Sequence, residues 1–282
     1  AVTEVLMIPC PPHRDIFRRR AVTVTIVKDT GDDARKGLET AHAMSAHWGE
    51  NFSKKLIDSA IANGMFEKLG NKSFPWGKAT LPTEDTIEQF VKRAKNSMCG
   101  PDGVSYAAWR AAGKHGARFL HNGLRAIADG RPPPREHNYS SGIFLVKGAL
   151  DDDLPDLVKR TAASARPLNM KNCSTKACAG ATNFSIAGAV TKWASQVQKG
   201  FCKGRQCLDN VCRIDARMRA VDLAHSGCEY EEGAPCRVGR LPFARAFDIR
   251  AAFPSLEHEF LYILLEFLGA PIGFINIIRA NY

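Results

Sequence analysis

Ala246-Phe247-Asp248-Ile249-Arg250-Ala251-Ala252-Phe253-Pro254-Ser255-Leu256 is the stretch on which the reading of this chain turns. The apolar run over residues 243–249 predicts a strand, with an acidic residue near its end and a turn directly after it. A helix signal follows at once. Ser255 suits an N-cap and Glu257 the first turn, while Phe260, Leu261, Leu264 and Leu268 build one apolar face that Gly269 and Pro271 close. A carboxylate between strand and turn is held rigidly and stays exposed at the strand's C-terminal edge. That suits a divalent cation, since Mg²⁺ is bound through one or two carboxylates plus substrate phosphates. An aspartate that merely caps the turn or the next helix fits the same residues equally well.

Working outward, the chain has 282 residues, a formal net charge of +10, 45% hydrophobic and 24% charged residues. That length allows a sizeable core in one large or two modest domains, and the composition argues against wholesale disorder. The basic excess suits a polyanionic partner such as nucleic acid. No apolar run approaches the roughly 20 residues of a membrane span, and no secretory signal opens the chain. Nine cysteines, an odd number and scattered, read as free thiols in a reducing compartment. Cys202, Cys207 and Cys212, with His225, Cys228 and Cys236 after them, lack the Cys-x2-Cys pairs of ordinary zinc modules. Ala1 is not a Met and the segment ending at Tyr282 carries no stop signal, so both ends read as cut from something longer.

The pattern along the chain predicts a helix over 34–52, irregular connection over 53–82, and a clear helix over 83–96. In that last segment Ile87, Phe90, Val91 and Ala94 share a face and Thr83 caps it. A turn at Cys99-Gly100-Pro101-Asp102-Gly103 leads to a second helix over 105–128, which Arg131-Pro132-Pro133-Pro134 ends. Ile143-Phe144-Leu145-Val146 predicts a strand before Lys147, and 151–156 an acidic, solvated loop. Arg166-Pro167-Leu168 leads toward another strand or turn, 176–196 predicts a buried helix, 211–223 a further helix, and 226–240 a loop.

These pieces together resemble the reverse transcriptases of non-LTR, LINE-like retrotransposons. Asp248 and Phe253 stand at the spacing of that family's first catalytic motif, an aspartate, four residues and an aromatic. Upstream and in the family's order, Ala46-His47-Trp48 is similar to its connector and Gly100-Pro101-Asp102-Gly103 to its opening turn. Phe144-Leu145-Val146-Lys147-Gly148 resembles the fingers strand, and Arg166-Pro167-Leu168 the Arg-Pro-Ile/Leu element. Gln198-Lys199-Gly200-Phe201-Cys202-Lys203-Gly204-Arg205 looks like the Gln-x-Gly-Phe-x-x-Gly-Arg stretch. The likeness covers roughly residues 46–282. Each short match is weak alone, and the ordered set carries the resemblance.

The resemblance implies an α+β fold: a connector region over 1–82, then right-hand polymerase fingers and an incomplete palm over 83–282. It implies RNA-directed DNA synthesis by two-metal chemistry with Mg²⁺ or Mn²⁺, on an RNA template and DNA primer, from deoxynucleoside triphosphates. Two ions about 3.5–4 Å apart need several carboxylates. Asp248 would supply the first as catalytic residue and metal ligand, with the Ile249 carbonyl beside it. Lys147 and Arg166 would hold the triphosphate, a point charge and a fork that both suit phosphate. Phe253 would exclude a ribose 2′-hydroxyl by volume. Gln198, Lys203 and Arg205 would face nucleic acid. The chain departs from the family in having no aromatic-x-Asp-Asp after Asp248. Its acidic runs, Asp32-Asp33 and Asp151-Asp152-Asp153, come earlier and read as solvated loops with no strand before them. The expectation is therefore a fragment inactive alone, intracellular in nucleus or cytoplasm, not secreted. The other reading is a non-catalytic, basic nucleic-acid-binding remnant.

Overall fold

The computed structural model describes residues 6–8, 23–27, 31, 33, 37–68, 73–148, 153–154, 157–225 and 256–282. Asp248, Ile249 and Phe253 lie outside the described residues, as do the strand expected over 243–249 and the loop expected over 226–240.

Eight α-helices and five strands follow one another among the described residues. They are β1 (Leu6–Ile8), β2 (Thr23–Val27), α1 (Gly37–Phe52), α2 (Ser59–Lys68), α3 (Glu84–Arg93), α4 (Tyr106–Ala128), β3 (Ser140–Val146), β4 (Leu157–Thr161), β5 (Ala165–Lys171), α5 (Cys173–Trp193), α6 (Leu208–His225), α7 (His258–Phe267) and α8 (Ile272–Ala280). The architecture is mixed helix and strand, an α+β class. β3 is central in a three-stranded sheet, parallel to β1 and antiparallel to β5, and β2 pairs in parallel with β4.

The largest core is helical. Ile87 and Val91 of α3, Leu120, Leu124 and Ile127 of α4, Ala177 and Ala181 of α5, and Ile277 of α8 are buried together. The i, i+4 spacing of Ile87 and Val91 puts both on one face, as the sequence pattern requires. Thr83 caps α3 by accepting from the Thr86 N–H, and Ser105 caps α4 by accepting from the Ala108 N–H. Acidic Glu84 and Asp85 in the first turn of α3 and basic Lys92 and Arg93 in its last complement the helix dipole. α4 is one element with a kink at Gly113 (φ 54°, ψ −133°). The small side chains of α5 let α3 come close. The ring of Phe90 lies on Gly180, where a Cβ would stand 2.6 Å from its Cε2.

A second core joins the two sheets to α1. Met44 and Trp48 pack with Ile26, Ala162 and Ala165, and Phe144 adds to them. A third joins α2 to α7 through Ala62, Phe66 and Ile263. Both cross residue 82, so the segments on either side of that position share their cores.

Three expectations need correction. Residues 53–82 are not wholly irregular, because α2 forms within them. The Asp58 carboxylate accepts from the N–H groups of Ala60 and Ile61, and the helix is held by α7 from the far end of the sequence. Short local signals broken by Gly64 did not carry that distant contact. Secondly, β1, β2, β4 and α8 were not read from the sequence; the first three are short strands whose partners lie far away in the chain. Thirdly, two members of the acidic runs are structural counter-charges. Asp153 pairs with buried Arg160, and Asp33 pairs with Lys159 at 2.6 Å. Strands do precede them, β2 before Asp33 and β3 before Asp153.

Candidate functional site

Residue register in the β3–β5 pair decides where the two expected phosphate cations stand. Leu145 pairs with Arg166 and Val146 with Ala165, and the Lys147 N–H continues the ladder to the Ser164 carbonyl at 2.8 Å. Residues two apart on a strand share a face, and so do directly paired residues. Lys147, Leu145 and Arg166 are therefore on one face of the sheet, with Lys147 and Arg166 diagonal neighbours. β5 is the edge strand, which is why Pro167 is tolerated inside it. On the opposite face Val146 and Ala165 are buried.

Lys147 and Arg166 line one cleft of about 990 Å³. Lys54, Lys55 and Lys171 add three more cations to its wall, and Asn138, Asn169 and Asn281 add amides. The other wall is the start of α7, with Leu256, Glu257, His258, Glu259 and Tyr262. The chain reaches that wall at Leu256, directly after the segment that contains Asp248.

Hydrogen bonds fix much of this wall. Lys147 Nζ donates to the Ala163 carbonyl at 3.0 Å, while Arg160 Nε donates to the Lys147 carbonyl at 3.5 Å. Lys171 Nζ donates to the Asn281 carbonyl at 2.6 Å and to Asn138 Oδ1 at 3.3 Å. Burial pushes the Lys171 ammonium below its ordinary range. Burial, then the charge of Lys171, likewise lowers His137, against a hydrogen bond with Asn281 that raises it. The Lys55 N–H donates to Glu257 Oε2 at 2.7 Å and holds that exposed carboxyl below the usual carboxylate range. The ring of His258 lies 4.3 Å from that of Tyr282, and Arg279 sits over the Tyr262 ring.

The Gly100-Pro101-Asp102-Gly103 turn has a structural explanation. Gly100 packs against the end of β5, where a Cβ would lie 2.6 Å from the Lys171 carbonyl carbon. Asn172 Oδ1 accepts from the Asp102 N–H at 3.3 Å, and Asp102 Oδ1 accepts from the Val104 N–H at 3.0 Å. The turn thus ties the start of α4 to the strand that carries Arg166.

The third expected group lies elsewhere, in the loop between α5 and α6. Arg205 donates to the carbonyls of Thr191, Ala194, Ser195 and Gln198. Its guanidinium is committed to the end of α5 and the loop itself, so its observed place is that of a brace. Gln198 Nε2 donates to the Gly200 carbonyl at 2.9 Å, whereas the side chain of Lys203 is exposed. None of these three lines the cleft.

Among the described residues, no three His, Cys, Asp or Glu side chains form a group that could hold a metal ion. Cys202 is buried while Cys207 and Cys212 are exposed, and all three are free thiols. No helix among the described residues is long and apolar enough to cross a membrane. Sequence reasoning missed Lys54, Lys55 and Lys171, because only the fold brings the end of α1 and the end of β5 to one cleft. No protein-family model and no curated protein matches the chain.

Proposed function

We propose that the chain is the fingers and the beginning of the palm of an RNA-directed DNA polymerase of the non-LTR retrotransposon type. The observation that carries this reading is that Lys147 and Arg166 are diagonal neighbours on one sheet face and line one cleft. The two residues belong to separate motifs, 19 positions apart in sequence. With Lys54, Lys55 and Lys171 they give the cleft a cationic wall suited to a triphosphate. Its volume is within the range of small-molecule sites. The incoming deoxynucleoside triphosphate would lie against that wall. Asp248 would supply a carboxylate for Mg²⁺ or Mn²⁺, Ile249 its carbonyl, and Phe253 would face the sugar. The remaining catalytic carboxylates would have to come from outside these residues, since no aromatic-x-Asp-Asp follows Asp248. The RNA template and DNA primer would be held by the chain's basic surface.

Isothermal titration of the chain with a deoxynucleoside triphosphate and Mg²⁺, set beside the same nucleoside without phosphates, tests the assignment. The triphosphate should bind and the nucleoside should not, and Lys147→Ala with Arg166→Ala should abolish the difference. Equal binding by the double variant would remove both residues from the site. RNA binding without any nucleotide binding would favour the non-catalytic, nucleic-acid-binding reading.

A further inference from the structure

Phe201 combines two features that rarely occur together. It is 99% exposed, and its φ is +60°, the one described non-glycine residue with positive φ. Few non-glycine residues adopt that conformation, and for a bulky one it is strained. An exposed aromatic ring gains nothing from burial that would offset the strain. The strain must therefore be imposed by the loop around it.

The loop is built to impose it. On one side Lys199 is buried and donates to Asp209 at 3.1 Å; on the other Cys202 is buried. Arg205 gathers four carbonyls beneath the loop, Asn210 Nδ2 donates to the Val197 carbonyl at 2.8 Å, and the Lys203 N–H donates to Thr191 Oγ1 at 3.2 Å. These bonds pin residues 197–205 against the end of α5 and leave the ring of Phe201 standing clear of its own protein. Lys203, two residues on, is exposed, and so is Lys192, the neighbour of the Thr191 that accepts from the Lys203 N–H.

We propose that Phe201 is a stacking platform for an unpaired base of single-stranded nucleic acid, with Lys203 taking a neighbouring phosphate. The inference rests on the nucleic-acid reading given above. A rigid ring presented beside cations is the combination used to bind single strands. The π-face accepts any base while the cations follow the backbone. A base in a duplex is already stacked on both sides, so the platform should discriminate single strands from duplex. Pre-setting the backbone removes the ordering cost that a mobile loop would meet on binding.

The test is fluorescence anisotropy of the whole chain at low salt, with a labelled adenine-only RNA of about 16 nucleotides and an RNA duplex of the same length. Phe201→Asn suits the backbone, because asparagine tolerates positive φ, and it removes the ring. Phe201→Gly does the same by a second route, and Phe201→Trp keeps a stacking surface. Affinity for the single strand should fall roughly five- to a hundredfold in the Asn and Gly variants and stay near wild type in the Trp variant. Duplex affinity should be the same in all four proteins. Unchanged single-strand affinity in both ringless variants would overturn the proposal while leaving the nucleic-acid reading intact. Loss of single strand and duplex in equal measure would also overturn it. So would a ringless variant that only shifts the chain from oligomer to monomer, which would make the ring a protein contact. No binding of either RNA by the wild-type chain would overturn both.

Discussion

The Arg160 guanidinium is buried against the Asp153 carboxylate in a two-pronged pair whose Nη2–Oδ2 arm is 2.6 Å long. The same guanidinium donates to the carbonyls of Lys159 and Gly148, at 2.8 and 3.0 Å, and to that of Lys147. It therefore joins β4 to the end of β3, at the point where Lys147 leaves the sheet. Removing the carboxylate takes a two-pronged ionic partner from a buried charge. Asp153→Ala should cost about 3–5 kcal/mol in urea unfolding. Arg160→Met together with Asp153→Leu should recover most of that loss, since a buried pair is often replaceable by apolar side chains. A single variant as stable as wild type would mean that the pair is open to water.

Close packing at Gly100 and Gly180 gives a second expectation. A methyl at Gly100 would press on the backbone at Lys171 and Asn172, which cannot swing aside, whereas a methyl at Gly180 would press on the ring of Phe90. Both Gly→Ala changes should destabilise by roughly 1–3 kcal/mol. Phe90→Leu should rescue Gly180→Ala and leave Gly100→Ala unrescued. Thermal melting of the two single and two double variants reads this directly, and rescue of both would contradict the backbone contact at Gly100.

His137 gives a pH dependence with a definite sign. Burial and Lys171 hold its folded pKa below the ordinary value of 6.5. The unfolded chain therefore binds the proton more readily, and stability rises with pH across the window between the lowered and the ordinary values. The penalty is complete below the folded pKa and absent above the unfolded one. Unfolding free energy should thus fall as pH is lowered through and below 6.5, and His137→Phe should flatten part of that slope. An unchanged slope in the variant would assign the dependence to other groups.

Phe253 carries the expectation about sugar choice. On the proposed polymerase reading, Phe253→Val should admit ribonucleotides while deoxynucleotide use is kept. Single-nucleotide incorporation measures this, and unchanged discrimination would return Phe253 to a packing role.

The elements legible in the sequence are those whose signals are local. α3 was readable because Thr83, Ile87 and Val91 define a cap and a face within one segment. α4 began where Ser105 caps it, and β3 lay in the apolar run ending at Val146. The run of small residues in α5 announced a closely packed helix, of which Cys173, Ala177 and Ala181 are buried while Phe184 is exposed. What could not be read depends on distant partners. β4 is five residues long with Lys159 and Arg160 inside it, and it is a strand because β2 pairs with it from far upstream. α2 needs α7, and α8 packs on α4 with Gly273 against Ala128. The same holds for the cleft. Lys147 and Arg166 were legible through their motifs, whereas Lys54, Lys55 and Lys171 became part of it only through tertiary packing. Arg205 has bonds that its motif does not announce, to the carbonyls of Ala194 at the end of α5 and of Gln198 in the loop.

On the proposed reading Asp248 holds a catalytic metal in a nucleotidyl-transfer site, and primer extension on an RNA template by Asp248→Asn tests this. The protein used is the chain extended through its own reading frame, with melting temperature recorded for wild type and variant. Asparagine caps a turn or helix about as well as aspartate, so a structural Asp248 would leave both melting and extension unchanged. A metal ligand loses the charge that divalent ions require, and extension should then fall by about 10²-fold or more at an unchanged melting temperature. Equal extension by the two proteins would make Asp248 a structural residue and not a metal ligand.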